Sequence, residues 1–256
     1  MSVKSVSYAA AVGLVAIALA AIAAASATQF RFTGPAKYGV YLASTETGTI
    51  KHLAGFCDWS LSPDGKWVAG SYQYQHAGAE RNDVSVVSVA TGKKTLLKAY
   101  VCHPEYPWDT AFAWSPDSRW LRVEGGDATS RVDIVAVQPK AGNGAKPTNV
   151  AWKEAPVIRP SGLRVKGYTV DEAVLSPDRR RIAADCSRGL YGNPGYDAGI
   201  FLCDADGSHR TRVTTCVYRG GKDGQPQYDA DDREIKWLAN GKGIVFRRTS
   251  HEDEGW

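Results

Sequence analysis

Leu61-Ser62-Pro63-Asp64-Gly65-Lys66-Trp67-Val68-Ala69 recurs along the chain, and the recurrence decides the fold. It returns as Trp114-Ser115-Pro116-Asp117-Ser118-Arg119-Trp120-Leu121-Arg122 and as Leu175-Ser176-Pro177-Asp178-Arg179-Arg180-Arg181-Ile182-Ala183. A degenerate fourth copy reads Trp237-Leu238-Ala239-Asn240-Gly241-Lys242-Gly243-Ile244-Val245. Aligned on the proline position, the spacings are 53, 61 and 62 residues. Each copy reads as a hairpin. An apolar strand ends where Pro presets φ, Asp can bond its own backbone, and Gly or Asn tolerates positive φ. A second apolar strand follows.

A looser hairpin separates successive copies: Val84 to Leu97 around Thr91-Gly92, Val132 onward through Ala141 to Gly144, and Gly199 to Thr214 around Asp204-Ala205-Asp206-Gly207. Each unit is thus four strands with period-two alternation. One such sheet cannot bury both faces, but several arranged radially can, so the expected fold is all-β, a small β-propeller. An unpaired hairpin, Tyr38 to Leu53 around Gly48, precedes the first copy, and the chain lacks a matching half-blade at its end, near Thr249. The expectation is four four-stranded blades, closed by N-terminal strands completing the last blade, over residues 38–249. Residues 28–37 are read as a linker and 250–256 as a charged tail.

These units resemble the TolB-type, WD40-like propeller family, whose repeat runs apolar strand, Trp-Ser-Pro-Asp-Gly, apolar strand, Asp-x-Asp-Gly hairpin. The resemblance covers about Tyr38 to Thr249; copy three has Leu175 for Trp, and copy four loses Ser, Pro and Asp. It implies a protein-interaction module in most members, and a peptidase gate or polysaccharide-active enzyme in some. Fold alone does not choose among them.

Lys4 is the one charged residue of the first 27, and the apolar run Tyr8–Ala27 closes on Ala25-Ser26-Ala27. That reads as a cleaved signal peptide, hence an exported, periplasmic or extracellular protein. The alternative is an uncleaved N-terminal helix that tethers it. No other segment is apolar for long enough to span a bilayer. The formal charge of +4 is too mild to argue for nucleic acid. A monomer without cofactor or metal is expected. Of five cysteines, Cys186 and Cys203 look like facing positions across a hairpin centred near Pro194-Gly195, so a disulfide is expected there. Cys57, Cys102 and Cys216 fall after fourth strands, with their connectivity open.

Loops after strands two and four are long: Ser71–Asn82, Lys98–Thr110, Trp152–Tyr168, Ser187–Ala198 and Thr215–Asp232. Binding residues concentrate on such loops. The candidate ligand-binding face holds Tyr72, Tyr74, His76, Arg81, His103, Tyr106, Trp108, Tyr191 and Tyr196, with Glu80, Tyr218 and Tyr228 beside them. Tyr, Trp and Arg are the usual anchors of recognition. Acids recur where innermost strands begin: Asp58, Asp109, Glu172 and Glu234. They could hold a cation or a basic peptide end at the channel mouth, or bond the backbone between blades. The run Asp229–Asp232 reads as a solvated loop, as does His209. No Gly-x-Ser-x-Gly, His-Glu-x-x-His or phosphate-binding loop is present, and no catalytic residue is assigned. The leading expectation is a non-catalytic binding module for a protein, peptide or envelope glycan. The alternatives are a polysaccharide lyase or hydrolase acting at the channel mouth, which clustering of His76, His103 and Glu172 would favour, and a truncated piece of a larger propeller.

Overall fold

The computed structural model describes residues 29–33, 38–76, 79–101, 110–124, 132–137, 151–152, 163–189, 196–220, 226–228 and 231–249. These residues contain strands and turns and no helix. The segment read as a signal peptide lies outside them.

Four small, propeller-like sheets account for the strands. Sheet 1 runs in order through β4 (Trp59–Leu61), β5 (Trp67–His76), β6 (Ala79–Ser88) and β7 (Lys94–Val101). Sheet 2 holds β8 (Ala111–Trp114), β9 (Trp120–Glu124) and β10 (Val132–Ala136). Sheet 3 is built on β11 (Thr169–Leu175), β12 (Arg181–Arg188) and β13 (Asp197–Asp204). Its outer part is β14 (Thr211–Arg212), β15 (Cys216–Gly220) and β16 (Pro226–Tyr228). Sheet 4 joins the two ends of the chain: β17 (Asp231–Trp237) and β18 (Gly243–Thr249) continue into β2 (Gly39–Ser44) and β3 (Thr49–Ala54). The β2–β18 ladder runs from Gly39↔Arg248 to Ser44↔Gly243, so the leading hairpin does complete the last one. Arg31–Phe32, within the segment read as a linker, form β1, which adds to β3 in parallel.

Each repeated turn is closed by the same hydrogen bonds. The Ser62 carbonyl accepts from Gly65 N–H at 2.9 Å. The Ser62 hydroxyl donates to Asp64 Oδ1 at 2.7 Å and accepts from Trp67 N–H at 3.0 Å, while Asp64 Oδ1 also takes Lys66 N–H at 3.1 Å. Ser115 with Asp117 and Ser176 with Asp178 repeat this set. The fourth copy has no serine hydroxyl but keeps the backbone bond, Gly241 N–H to the Leu238 carbonyl at 2.9 Å, and the bond from Lys242 N–H to Asn240 at 2.9 Å. The residue two after the proline position is left-handed in every copy: Gly65, Ser118, Arg179 and Gly241 have φ of 70°, 58°, 60° and 68°. Two copies therefore carry a side chain where glycine is favoured.

Thin sheets find their core in the seams between them. Val40, Leu53 and Val245 of sheet 4 pack with Trp59, Leu61, Val68 and Val87 of sheet 1 around the connecting Phe56. The other face of sheet 4, with Tyr41, Ile235, Trp237 and Phe246, packs on Val174, Ala183 and Ile200 of sheet 3. Ala69, Val84 and Val86 of sheet 1 pack on Trp114, Leu121 and Val123 of sheet 2. The sheets are thus ordered 3–4–1–2.

Two expectations about covalent and loop structure are corrected. Cys186 stands opposite Gly199, and Cys203 opposite Ile182. The Arg188↔Asp197 rung sets the hairpin centre two residues earlier than Pro194-Gly195, so the two cysteines share a face but lie four residues apart along the ladder. At the rise of a strand that is about 13 Å, far beyond disulfide reach. None of the described cysteines is bridged, and Cys102 lies outside the described residues. Burial pushes the Cys186 thiol up to about 12. Ser71–Asn82 is no loop; it prolongs β5 and β6 as a regular ladder to His76↔Ala79. Thr215–Asp232 likewise contains the β15–β16 hairpin.

Two substitutions test the turn geometry with opposite signs. Arg179→Gly relieves a left-handed side chain and is expected to raise unfolding stability by about 1 kcal/mol in urea titration. Gly65→Ala places a Cβ 2.9 Å from Ala239 N at φ +70° and is expected to lower it. The Ser115 hydroxyl, ahead of any charge, holds the Asp117 carboxyl below the ordinary 3.8. Its contribution is complete above that value and is lost as pH falls through the lowered one. Carboxyl NMR titration of Ser115→Ala should show Asp117 moving upward.

Candidate functional site

The prolonged β5–β6 hairpin carries the candidate face. Strand alternation puts Val68, Gly70, Tyr72 and Tyr74 on one side of β5, and the register sets Tyr72 opposite Asp83 and Tyr74 opposite Arg81. The lower half of this stripe is core: Phe56 is fully buried against Gly70, where any Cβ would meet its ring at 2.2 Å. The upper half is open. Tyr72 and Tyr74 are 45% and 36% exposed and stack with centroids 5.9 Å apart at 26°. Lys94, reaching over from β7, places Nζ 5.4 Å from the Tyr72 centroid and 5.7 Å from that of Phe56.

Polar capacity is left over beside the rings. The Tyr74 hydroxyl donates to Asp83 Oδ2 at 3.3 Å. Lost solvation and then the Asp83 charge raise the Tyr74 pKa from its ordinary 10.0. Asp83 Oδ1 and Arg81 Nε are covered yet make no hydrogen bond among the described residues. Tyr72, Tyr74 and Arg81 are therefore brought together as expected, and Asp83, Lys94 and Phe56 join them. Period-two spacing of Tyr72/Tyr74 and of Arg81/Asp83 was the signal that could have revealed the grouping.

Other expected members are dispersed or lie elsewhere. His76 ends β5, and its side chain is outside what is described, as are those of Glu80, Tyr218 and Tyr228. His103, Tyr106, Trp108, Asp109 and Tyr191 lie outside the described residues. Tyr196 precedes β13 on sheet 3. Near it, Asp197 accepts from the Tyr168 hydroxyl at 2.8 Å, pairs with Arg188 at 3.3 Å and forms a short ion pair with Arg212.

The acids at the innermost strands work across the seams. Glu172 of sheet 3 accepts the Ile235 N–H of sheet 4 at 3.2 Å. Glu234 of sheet 4 accepts the Trp59 indole N–H of sheet 1 at 2.6 Å and pairs with Arg247 at 2.5 Å. Asp58 of sheet 1 accepts the Thr110 N–H before sheet 2 at 3.3 Å and the Ser71 hydroxyl at 3.2 Å. Each of these three carboxylates thus takes a donor from the next sheet, a backbone N–H for Glu172 and Asp58 and an indole N–H for Glu234. Among the described residues, no group of three or more His, Cys, Asp or Glu could hold a metal.

Asp232, expected in a solvated loop, is wholly buried. It pairs with Arg248 through Nε–Oδ1 at 2.7 Å and Nη2–Oδ2 at 2.6 Å. Phe32 of β1 covers the guanidinium at 4.3 Å. His209 is exposed as expected but pairs with Asp204 at 2.7 Å beside a cleft of about 120 Å³. Ser208 meets the same ring nitrogen, at 3.2 Å. A serine–histidine–aspartate relay needs both nitrogens, so this trio cannot act as one.

No family model and no curated protein matches the sequence. Solved structures resemble the chain weakly. A candidate TolB from Agrobacterium tumefaciens is 17% identical over 82% of this chain and 66% of its own length, with a TM-score of 0.26. The chain thus spans just under two thirds of that protein. A hypothetical protein from Leishmania major is 10% identical over 94% and 96%, at 0.25. A mannose phosphorylase from Leishmania mexicana, in complex with phosphate ion, is 9% identical over 93% of each chain, at 0.24.

Truncating the buried pair gives a direct test of its role. Asp232→Ala leaves Arg248 charged and buried, and is expected to cost about 3–5 kcal/mol in denaturant unfolding. Replacing both partners, Asp232→Leu with Arg248→Met, should cost much less.

Proposed function

We propose that the protein is an exported, non-catalytic binding module. Its four sheets act as the blades of a closed four-bladed propeller, and its recognition surface is the tyrosine face of the β5–β6 hairpin. The observation that carries this reading is the exposed Tyr72–Tyr74 stack on a three-stranded part of sheet 1, continuous with the Phe56 core and bordered by Arg81, Asp83 and Lys94. Rigid aromatic anchors with a polar rim bind with little loss of side-chain freedom. Three acids that an enzyme at the channel mouth would recruit, Asp58, Glu172 and Glu234, are engaged in bonds between sheets, which favours binding over catalysis. Export follows from the Tyr8–Ala27 segment and its small-residue end.

Affinity capture from a cell-envelope extract tests the face. The unaltered protein should retain a ligand that Tyr72→Ala/Tyr74→Ala loses by about tenfold or more. Equal recovery, with an unchanged unfolding midpoint for the variant, would remove this face from consideration.

A further inference from the structure

We propose that the end of the molecule built from the repeated turns rests on an anionic bilayer, with the Tyr8–Ala27 segment retained as its anchor. The four turns form one continuous row. Asp64 N–H donates to Ser118 Oγ at 3.2 Å, and a Cβ on Gly65 would stand 2.9 Å from Ala239 N. Arg181 Nη2 donates to the Gly241 carbonyl at 2.5 Å. The row carries Lys66, Arg119, Arg179, Arg180, Arg181 and Lys242 against the carboxylates of Asp64, Asp117 and Asp178. Of these cations all but the half-buried Arg181 are exposed. Lys166 and Arg210 lie alongside, with Arg210 Nη1 on the Lys166 carbonyl at 3.5 Å. The neighbouring acids are Asp206, Asp204, which meets His209, and Glu46, which pairs with Lys242 at 2.8 Å. Cations therefore exceed carboxylates at this end.

A basic face alone would suit an acidic protein as well as a lipid surface, and the path of the chain selects the lipid. β1 runs parallel to β3 and begins beside the Gly48 turn, where Arg31 N–H donates to the Gly48 carbonyl at 2.7 Å. That turn belongs to the same end, because Thr45 N–H donates to the Lys242 carbonyl at 3.0 Å. Phe30 lines one cleft with Arg181 and His209. The chain thus enters the sheets from the basic end. Three residues separate Ala27 from Arg31, at most about 14 Å of extended chain. Tyr8–Ala27 is uncharged and has the length that spans a hydrocarbon core as a helix. An anchor so close to the turns holds their cations near the headgroups, where anionic lipid attracts Lys and Arg. The tyrosine face is left clear, since Tyr72 stands five residues beyond Trp67 along β5, about 17 Å further from the turns.

The test acetylates lysines of the full chain in lipid nanodiscs of phosphatidylglycerol or of phosphatidylcholine, and reads each site by mass spectrometry. Lys66, Lys166 and Lys242 should react about fivefold more slowly in phosphatidylglycerol. Lys98, further up β7, should react equally in both. Arg119→Gln/Arg179→Gln/Arg180→Gln, with an unchanged unfolding midpoint, should return Lys66 and Lys242 to the phosphatidylcholine rate. Equal rates for the unaltered chain in the two lipids, or equal protection of Lys98, would overturn the proposal. Protection that persists in the triple variant would do the same. A Glu-rich decapeptide that protects these lysines as well in phosphatidylcholine would overturn the lipid in favour of an acidic protein. A chain recovered from the cell envelope beginning at Thr28 would overturn the anchor. None of these outcomes touches the tyrosine face, which the capture comparison decides by itself.

Discussion

A sheet of three to six short strands has two faces and no interior, so most of the buried apolar side chains among the described residues pack in the seams between neighbouring sheets. Sheet 4 bears the heaviest demand, because clusters on both of its faces join it to sheets 1 and 3. It exists only because β2 and β18 pair, bringing Gly39–Ser44 against Gly243–Arg248. Across each described seam an acidic side chain adds direction to non-directional packing, since it accepts a single donor at one position of the next sheet. Burial supplies most of the stabilisation, and the carboxylates set the register between sheets.

The repeated turn shows how much of a motif is chemistry and how much is habit. Its serine hydroxyl fastens the aspartate and the returning strand together, and three copies keep that arrangement to within a few tenths of an ångström. The fourth copy lost the serine and retained the turn, because Asn240 still accepts the backbone N–H two residues on. What all four share is conformation: a left-handed residue at one position, whether occupied by Gly, Ser or Arg.

Much of the fold was legible because turn residues and alternation are local. The four hairpins, the use of the leading hairpin to complete the last sheet, and the grouping of Tyr72 with Tyr74 all followed from short-range pattern. Longer-range facts were not legible. Whether Ser71–Asn82 was loop or ladder depended on a hairpin register that polar residues specify weakly. A two-residue error in another hairpin centre sufficed to suggest a disulfide between Cys186 and Cys203. Asp232 looked solvated because three acids surround it in sequence, while its partner Arg248 stands on the following strand. Lys94 belongs to the tyrosine face through its reach across two strands, which no spacing rule encodes.

The union of the two chain ends in sheet 4 has a temporal side. Translation makes β2 well before β18, which emerges only after about two hundred further residues have been added, roughly ten to forty seconds later at ordinary rates. During that interval the edge of β2 that β18 will occupy has no native partner, and the Tyr41 ring lacks Phe246. An unpaired strand edge of that kind is where a nascent chain is most open to mispairing. The long separation of β2 from β18 in sequence is therefore also a delay in covering one strand edge.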